Sequence, residues 1–321
     1  MAKKSNRVAV IYFPGRVDLK KVRRIVSTAI AGAGWEIPLY LKTAADETGG
    51  VQALRAIAQK ATHIVVIGGD GTVRSVLEEV AKSGANVSVG IVPIGTGNVL
   101  ARNLNLPLTD MALQIQRALF GIAHSIDLGL AKMIMADGKR KEMHFAVMAG
   151  LGLDAKIMLH TDQARKRRMG WVAYVEGGLK MLPIRYESLL VSVDNREARQ
   201  LKVVTLLIGN VGWLPGRLSM MPDAAMDDGR LDVAAIGPRR FWNWIDFWSR
   251  VTVGNNIVRT NRIGKQLLDA TANIKTLENM SGVKIRVAPS ADTELQLDGD
   301  VIGKICEVEF EAKPRAVVIR S

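Results

Sequence analysis

His63-Ile64-Val65-Val66-Ile67-Gly68-Gly69-Asp70-Gly71-Thr72-Val73-Arg74 is the stretch that decides the fold. Residues 63–67 form a continuous apolar run, the pattern of a strand buried on both faces. Val73, Val76, Leu77 and Val80 then recur at helical spacing. A glycine-rich turn between strand and helix lets the backbone approach a ligand closely and aims free N–H groups and the positive helix end at an anion. Thr72 can cap the helix or donate to a phosphate oxygen. After the next apolar run, 87–92, Pro93-Ile94-Gly95-Thr96-Gly97-Asn98 repeats the design. Two such turns on consecutive strands face one carboxyl edge, where open α/β sheets bind ligands. Either turn taken alone also reads as an ordinary tight βα connection.

Outward from this centre the strand–helix alternation continues. Toward the N-terminus, 8–13 and 37–41 read as strands, and 18–33 and 51–58 as helices, with Asp18 a plausible N-cap. Residues 1–124 therefore form a parallel-sheet α/β domain. From about Ile126 the rhythm changes. The runs 126–135, 143–149, 187–194, 201–208, 231–236, 283–288, 294–297, 307–311 and 316–320 are strand-like, and few helices separate them. Residues 125–321 are expected to be an antiparallel β-sandwich, with helices only at 163–182 and from 241 to about 279. The last strand is expected to end in the sandwich, leaving little chain to return to the first domain.

The 321 residues suit two domains. Hydrophobic residues at 48% and charged residues at 23% rule out disordered and collagen-like classes. A net charge of +13 favours polyanionic partners: nucleic acid, an anionic membrane surface or phosphate-bearing ligands. The single cysteine, Cys306, excludes an internal disulfide framework and suits a reducing compartment. His63, His124, His144 and His160 lack paired ligand spacing, so no zinc site is expected. The basic start, Met1 to Arg7, precedes an apolar run too short for a signal peptide, and no window reaches the ~18 apolar residues of a membrane span.

No G-x-x-x-x-G-K-[ST] loop or protein-kinase catalytic-loop signature occurs. Gly150-Leu151-Gly152-Leu153-Asp154-Ala155 fits a dinucleotide fingerprint on paper but lies where the chain has turned antiparallel. Taken in order, Gly68-Gly69-Asp70-Gly71-Thr72, Pro93-Ile94-Gly95-Thr96-Gly97-Asn98, Gly150 to Ala155, Met226-Asp227-Asp228-Gly229-Arg230-Leu231-Asp232 and Leu297-Asp298-Gly299-Asp300 resemble the diacylglycerol kinase catalytic-domain family. That family includes bacterial lipid kinases and sphingosine kinases. The first motif is shared with NAD kinases. Taken alone, Asp227-Asp228-Gly229 reads as a plain turn and Asp298-Gly299-Asp300 as a hairpin turn.

The resemblance implies an ATP- and Mg²⁺-dependent lipid kinase, working in the cleft between the two domains and serving phospholipid biosynthesis. It implies ATP contacts at Thr43, along Gly68, Gly69, Asp70, Gly71, Thr72, Val73 and Arg74, and at Gly95, Thr96, Gly97 and Asn98. It implies Mg²⁺ near Asp228, with the backbone carbonyls of Ala225 and Arg230. The proton acceptor falls on Asp300, with Asp298 as its substitute, and Asp70 serves the metal and water network near the transferring phosphate. Two departures stand out. Phe13-Pro14-Gly15 replaces the family's Asn-Pro, and Asp300 replaces its Glu, about 1 Å shorter in reach, enough to cost about a hundredfold in rate.

Phe241, Trp242, Trp244, Phe247 and Trp248, flanked by Arg239, Arg240 and Arg250, suit the interface of an anionic bilayer or a helix packed on the sandwich. Arg165 to Arg168, followed by Trp171 and Tyr174, is a second basic-aromatic patch or a solvated face. The expected partners are a lipid substrate and an anionic membrane surface, with a homodimer among the expected assemblies and no nucleic acid. A cytoplasmic, peripherally membrane-associated location follows. The alternatives are an NAD kinase-like enzyme and a non-catalytic membrane- or RNA-binding module on a kinase fold.

Overall fold

The computed structural model describes residues 6–44, 47–152, 186–214, 218–219, 221–236 and 279–321. Its first part alternates β1 (Val8–Tyr12), α1 (Leu19–Ile30), β2 (Leu39–Lys42), α2 (Gly50–Ala58), β3 (His63–Gly68), α3 (Asp70–Ser83), β4 (Ser88–Pro93), α4 (Val99–Asn103) and α5 (Met111–Phe120). Asp18 caps α1 as expected, its carboxylate accepting the N–H groups of Lys20 and Lys21 at 2.9 and 3.2 Å. The parallel strands lie in the order β4-β3-β1-β2. Both faces are covered. Ala9, Ile11, Ile64 and Val66 pack against Val76 and Leu77 of α3 on one side. Val8, Val10, Val65 and Ile67 pack against Val22, Val26 and Ile115 on the other. This two-sided burial is why these strands read as unbroken apolar runs.

The second part comprises β5 (Ala123–Met135), β6 (Arg140–Phe145), β7 (Met148–Gly152), β8 (Glu187–Val193), β9 (Arg199–Val203), β10 (Thr205–Gly209), the short pair β11 (Trp213–Leu214) and β12 (Leu218–Ser219), β13 (Leu231–Ile236), β14 (Asn279–Gly282), β15 (Lys284–Pro289), β16 (Thr293–Leu297) and β17 (Asp300–Arg320). Its pairings are antiparallel, and its core gathers Phe145, Leu151, Ile208, Val233 and Phe310. The rings of Phe145 and Phe310 meet edge to face at 6.0 Å.

Four expectations are corrected. Residues 143–149 are not one strand. The chain breaks after Phe145, where Asp298 captures three successive N–H groups. Residues 201–208 likewise divide at Val204, so that β9 pairs with β8 while β10 pairs with β7 and β13. Residues 307–311 and 316–320 are parts of a single strand, the 21-residue β17, bent at irregularities near Ile305 and Lys313. That strand also leaves the sandwich. Val318, Ile319 and Arg320 pair in parallel with Ser88, Val89 and Gly90 of β4, so the chain does return to the first domain's sheet. The expected helix at 163–182 lies outside the described residues, as does that at 241–279 apart from Asn279, which opens β14. No helix among the described residues is long and apolar enough to cross a membrane.

Candidate active site

The four parallel strands end at Tyr12, Lys42, Gly68 and Pro93, and the expected nucleotide residues collect at that edge. Thr43 follows β2, is buried, and donates its N–H to the Tyr12 carbonyl at 2.8 Å. Phe13 follows β1 with its ring folded back so tightly that a Cβ on Gly15 would lie 2.8 Å from Cε1.

The two glycine turns touch. A Cβ on Gly95 would lie 2.8 Å from the Cα of Gly69, and one on Gly97 would lie 2.9 Å from an Asp70 carboxylate oxygen. The Ile94 N–H donates to the Gly68 carbonyl at 3.1 Å. Thr72 does not cap α3. The N-cap is Gly69, with no side-chain bond, so first-turn N–H groups stay available to an anion. Asp70 ties the loops together, since its Oδ1 accepts the Val99 N–H at 2.7 Å, at the start of α4. Burial pushes the Asp70 carboxyl up, against the N–H groups of Val99 and its neighbours, which favour the charged form. Asn98 is left-handed at φ 47° and donates Nδ2–H to the Gly95 carbonyl at 2.8 Å. Gly68, Gly69, Asp70, Pro93 and Asn98 line a small pocket together with Val73, which is otherwise buried in the core, and Ile91, Leu100 and Ala101. Thr96, in the second turn, is exposed. Gly95→Ala would put a methyl 2.8 Å from both the Gly69 Cα and the Asn98 Oδ1, so the two turns must move apart. It is expected to lower kcat/KM by about a hundredfold through a displacement of ~1 Å and to lower the melting temperature by a few degrees, since such overpacking costs about 1–3 kcal/mol, checked by steady-state kinetics and calorimetry.

Asp298 and Asp300 come to this edge from the far end of the sequence with opposite surroundings. Asp298 is left-handed at φ 48°, and its carboxylate accepts the N–H groups of Ala146, Val147 and Met148 at 2.8, 2.9 and 2.9 Å. Burial pushes its carboxyl up to about 6 against those donors and Arg74. Its oxygens are thus committed to backbone, which corrects the expectation that it could stand in for Asp300. The Asp300 side chain is 53% exposed, and its Oδ2 lies 3.7 Å from where a Gly71 Cβ would sit. Arg74 Nη2 donates to that oxygen at 2.8 Å. The expected ATP contact Arg74 is thus engaged with the expected proton acceptor.

The segment from Ala225 to Arg230 forms a turn held from below. The buried Asp127 accepts the N–H groups of Gly229 and Arg315 at 2.6 and 2.7 Å and donates its own N–H to the Met226 carbonyl. Asp228 Oδ1 accepts the Arg230 N–H at 2.9 Å, and the Arg230 guanidinium is bound to Ser281, so Arg230 has its carbonyl to offer a cation. Burial, then the charges of Asp228 and Asp223, push the Asp232 carboxyl up to about 6. Asp228 and the backbone carbonyls of Ala225 and Arg230 are hard oxygen donors, the kind that a divalent cation such as Mg²⁺ takes. Among the described residues no three His, Cys, Asp or Glu side chains could hold a metal by themselves. Asp127 was missed by the motif reading. Its only signal is a lone carboxylate in the apolar run 126–130.

The family model of the diacylglycerol kinase catalytic domain matches residues 8–131, and that of the YegS C-terminal NAD kinase beta sandwich-like domain matches residues 147–320. The chain belongs to the diacylglycerol kinase family. It is a kinase, and ATP use comes with that membership. Across 93% of the chain and 91% of the relative it is 26% identical to a diacylglycerol kinase of Bacillus subtilis. It is 29% identical, over 72% of the chain and 74% of the relative, to a probable YegS-like lipid kinase of Pseudomonas fluorescens. A solved diacylglycerol kinase structure from Bacillus anthracis superposes with a TM-score of 0.75 at 20% identity, covering 100% of this chain and 98% of that one. An ATP-bound NAD kinase from Archaeoglobus fulgidus does so at 0.51 and 13% identity, covering 98% and 93%. These two likenesses concern the fold. The Trp-rich and Arg-rich segments lie outside the described residues.

Proposed function

We propose that this kinase transfers the γ-phosphate of ATP to the primary hydroxyl of diacylglycerol, giving phosphatidate, or to that of a related lipid. One observation carries the reading. The Asp300 carboxylate, 226 residues beyond Arg74, sits over the first turn of α3 beside the glycine loop. Phosphoryl transfer needs that juxtaposition of a phosphate cradle and a carboxylate that takes the hydroxyl proton. The lipid hydroxyl oxygen bonds to the γ-phosphorus, the bond to the bridging oxygen breaks with its electron pair leaving on ADP, and the hydroxyl proton passes to Asp300. Asp70 fixes the two loops around the phosphates and serves the water network there. Asp228 and the carbonyls of Ala225 and Arg230 would hold Mg²⁺, which offsets phosphate charge. The +13 charge supports contact with an anionic lipid surface at the periphery of a membrane.

The test is transfer of labelled γ-phosphate, with Mg²⁺, to diacylglycerol, monoacylglycerol, sphingosine, ceramide and NAD, the lipids in anionic mixed micelles. Label in diacylglycerol that disappears in Asp70→Ala is the expected result. Label in NAD alone, or no label from folded protein that binds ATP, overturns the reading.

The cation makes a separate prediction. Because the Asp232 carboxyl is raised to about 6 from 3.8, its contribution to stability is complete below the lower value and is lost as pH rises through the upper one. Between about pH 5 and about pH 7.5 the melting temperature of chelator-treated wild type should change more unfavourably than that of Asp232→Asn. That comparison separates this carboxyl from the buried His63 and His144, whose lowered pKa values act in the opposite direction. Mg²⁺ should raise the wild-type melting temperature at the higher pH. Asp228→Ala should respond less to both. Calorimetry showing equal Mg²⁺ stabilisation of wild type and Asp228→Ala would put the cation elsewhere.

A further inference from the structure

Arg74 is 9% exposed, and its guanidinium spans two carboxylates. Nη2 donates to Asp300 Oδ2 at 2.8 Å, and Nη1 lies 3.7 Å from Glu78 Oε2, one helical turn along α3. Glu78 is itself buried and held from two more sides. Its Oε1 accepts from Lys82 Nζ at 2.9 Å and from the His144 N–H, in β6 of the sandwich, at 3.2 Å. Asp300 belongs to the first residue of β17, also in the sandwich. The chain of contacts from Asp300 through Arg74 to Glu78 and His144 therefore leaves the sandwich, crosses the helix that carries the glycine loop, and returns to the sandwich.

We propose that Arg74, braced by Glu78, is the positioning residue that sets where the Asp300 carboxylate stands over the first turn of α3. The proposal rests on the reading of Asp300 as the proton acceptor. A half-exposed carboxylate at a strand end has rotamer freedom, and a single directed Arg donor removes most of it. Arg74 engages Oδ2, and Oδ1 has no partner among the described residues, so one oxygen is anchored while the other is left for the hydroxyl proton. The anchor bears on the short reach of aspartate here. Because the acceptor is fixed from the α3 side, its distance to the loop is set by the Arg74 side chain rather than by the length of its own. This role differs from an ATP contact. An arginine bound to a nucleotide phosphate acts on ATP affinity, whereas one that orients the acceptor acts on turnover with ATP already bound.

The experiment compares wild type, Arg74→Gln, Arg74→Lys, Glu78→Gln, Asp300→Asn and the Arg74→Gln/Asp300→Asn pair on diacylglycerol. Arg74→Gln should lower kcat about a hundredfold with the KM for ATP within about twofold of wild type. Arg74→Lys should recover part of that loss, since it keeps a donor and loses the fork. Glu78→Gln should lower kcat less than Arg74→Gln does. The double substitution should be no worse than Asp300→Asn alone, because two residues acting as one unit do not add. A rise in the KM for ATP with kcat preserved, or multiplying losses in the pair, would overturn the proposal and make Arg74 a nucleotide contact. Crystal structures of wild type and Arg74→Gln give a readout independent of turnover. The Asp300 carboxylate should shift by about 1 Å or lose its single orientation, and an unmoved carboxylate would overturn the proposal even if no lipid were phosphorylated. Wild type that phosphorylates no acceptor, with the carboxylate displaced in the variant, would instead sink the reading of the reaction and leave the positioning intact.

Discussion

Asp300→Ala is expected to lower kcat on diacylglycerol by about 10²–10⁴-fold, the range that a positioned general base supplies, while the protein melts close to wild type. The small stability effect follows from the surroundings. The side chain is 53% exposed, so its one ion pair, with the buried Arg74, is open to solvent on the carboxylate side and contributes about 1 kcal/mol. Arg74 would also keep Glu78. Affinity for ATP should change little, because the glycine loops and Asp70 are untouched. Turnover followed with labelled ATP, beside a binding isotherm for ATP and a melting curve, checks all three. Wild-type kcat in Asp300→Ala would remove this residue from the reaction, and a loss of ATP binding equal to the loss of turnover would make it a nucleotide residue.

Two positions earlier the same substitution should do the reverse. Asp298→Ala takes the acceptor from three successive N–H groups, those of Ala146, Val147 and Met148, where the chain passes from β6 to β7. Each orphaned donor costs about 1–3 kcal/mol when water cannot replace the acceptor, so a combined loss of about 3–9 kcal/mol is expected. Alanine also tolerates the left-handed backbone at φ 48° less well than aspartate. A drop of roughly 10 °C in melting temperature follows for a protein of this size. Asp298→Asn should fall between. Its carbonyl can keep the Val147 and Met148 bonds on Oδ1, but its NH₂ must face the Ala146 N–H. Calorimetry placing Asp298→Ala within about 2 °C of wild type would show that solvent reaches those donors.

These paired outcomes mark how much of the protein is legible in its sequence. The parallel strands were readable because β1, β3 and β4 are buried on both faces, which leaves an unbroken apolar run. The glycine turns were readable because close backbone approach demands residues without side chains, and Gly69 and Gly95 do approach that closely. The break at Ala146 was not readable, since what ends β6 there is a carboxylate about 150 residues away. The division at Val204 hid for a related reason, because the flanking residues keep strand-like character while changing partner. Arg74 and Asp300 were each picked out, but no local pattern joins residues 226 apart. The Arg74–Glu78 spacing is visible as an i,i+4 pair, yet such pairs usually lie on exposed helix faces, and this one is buried. Asp127 had no motif at all.

The parallel pairing of Val318–Arg320 with Ser88–Gly90 has a consequence for how the protein is made. Val318 leaves the ribosome roughly 230 residues after Ser88, which at 5–20 residues per second is about 10–50 s later. Through that interval β4 presents an open hydrogen-bonding edge beside a nascent nucleotide domain. Nascent chains stalled before residue 318 should therefore be more sensitive to protease in the 88–93 region than released chains, and more dependent on chaperones that shield unpaired strands.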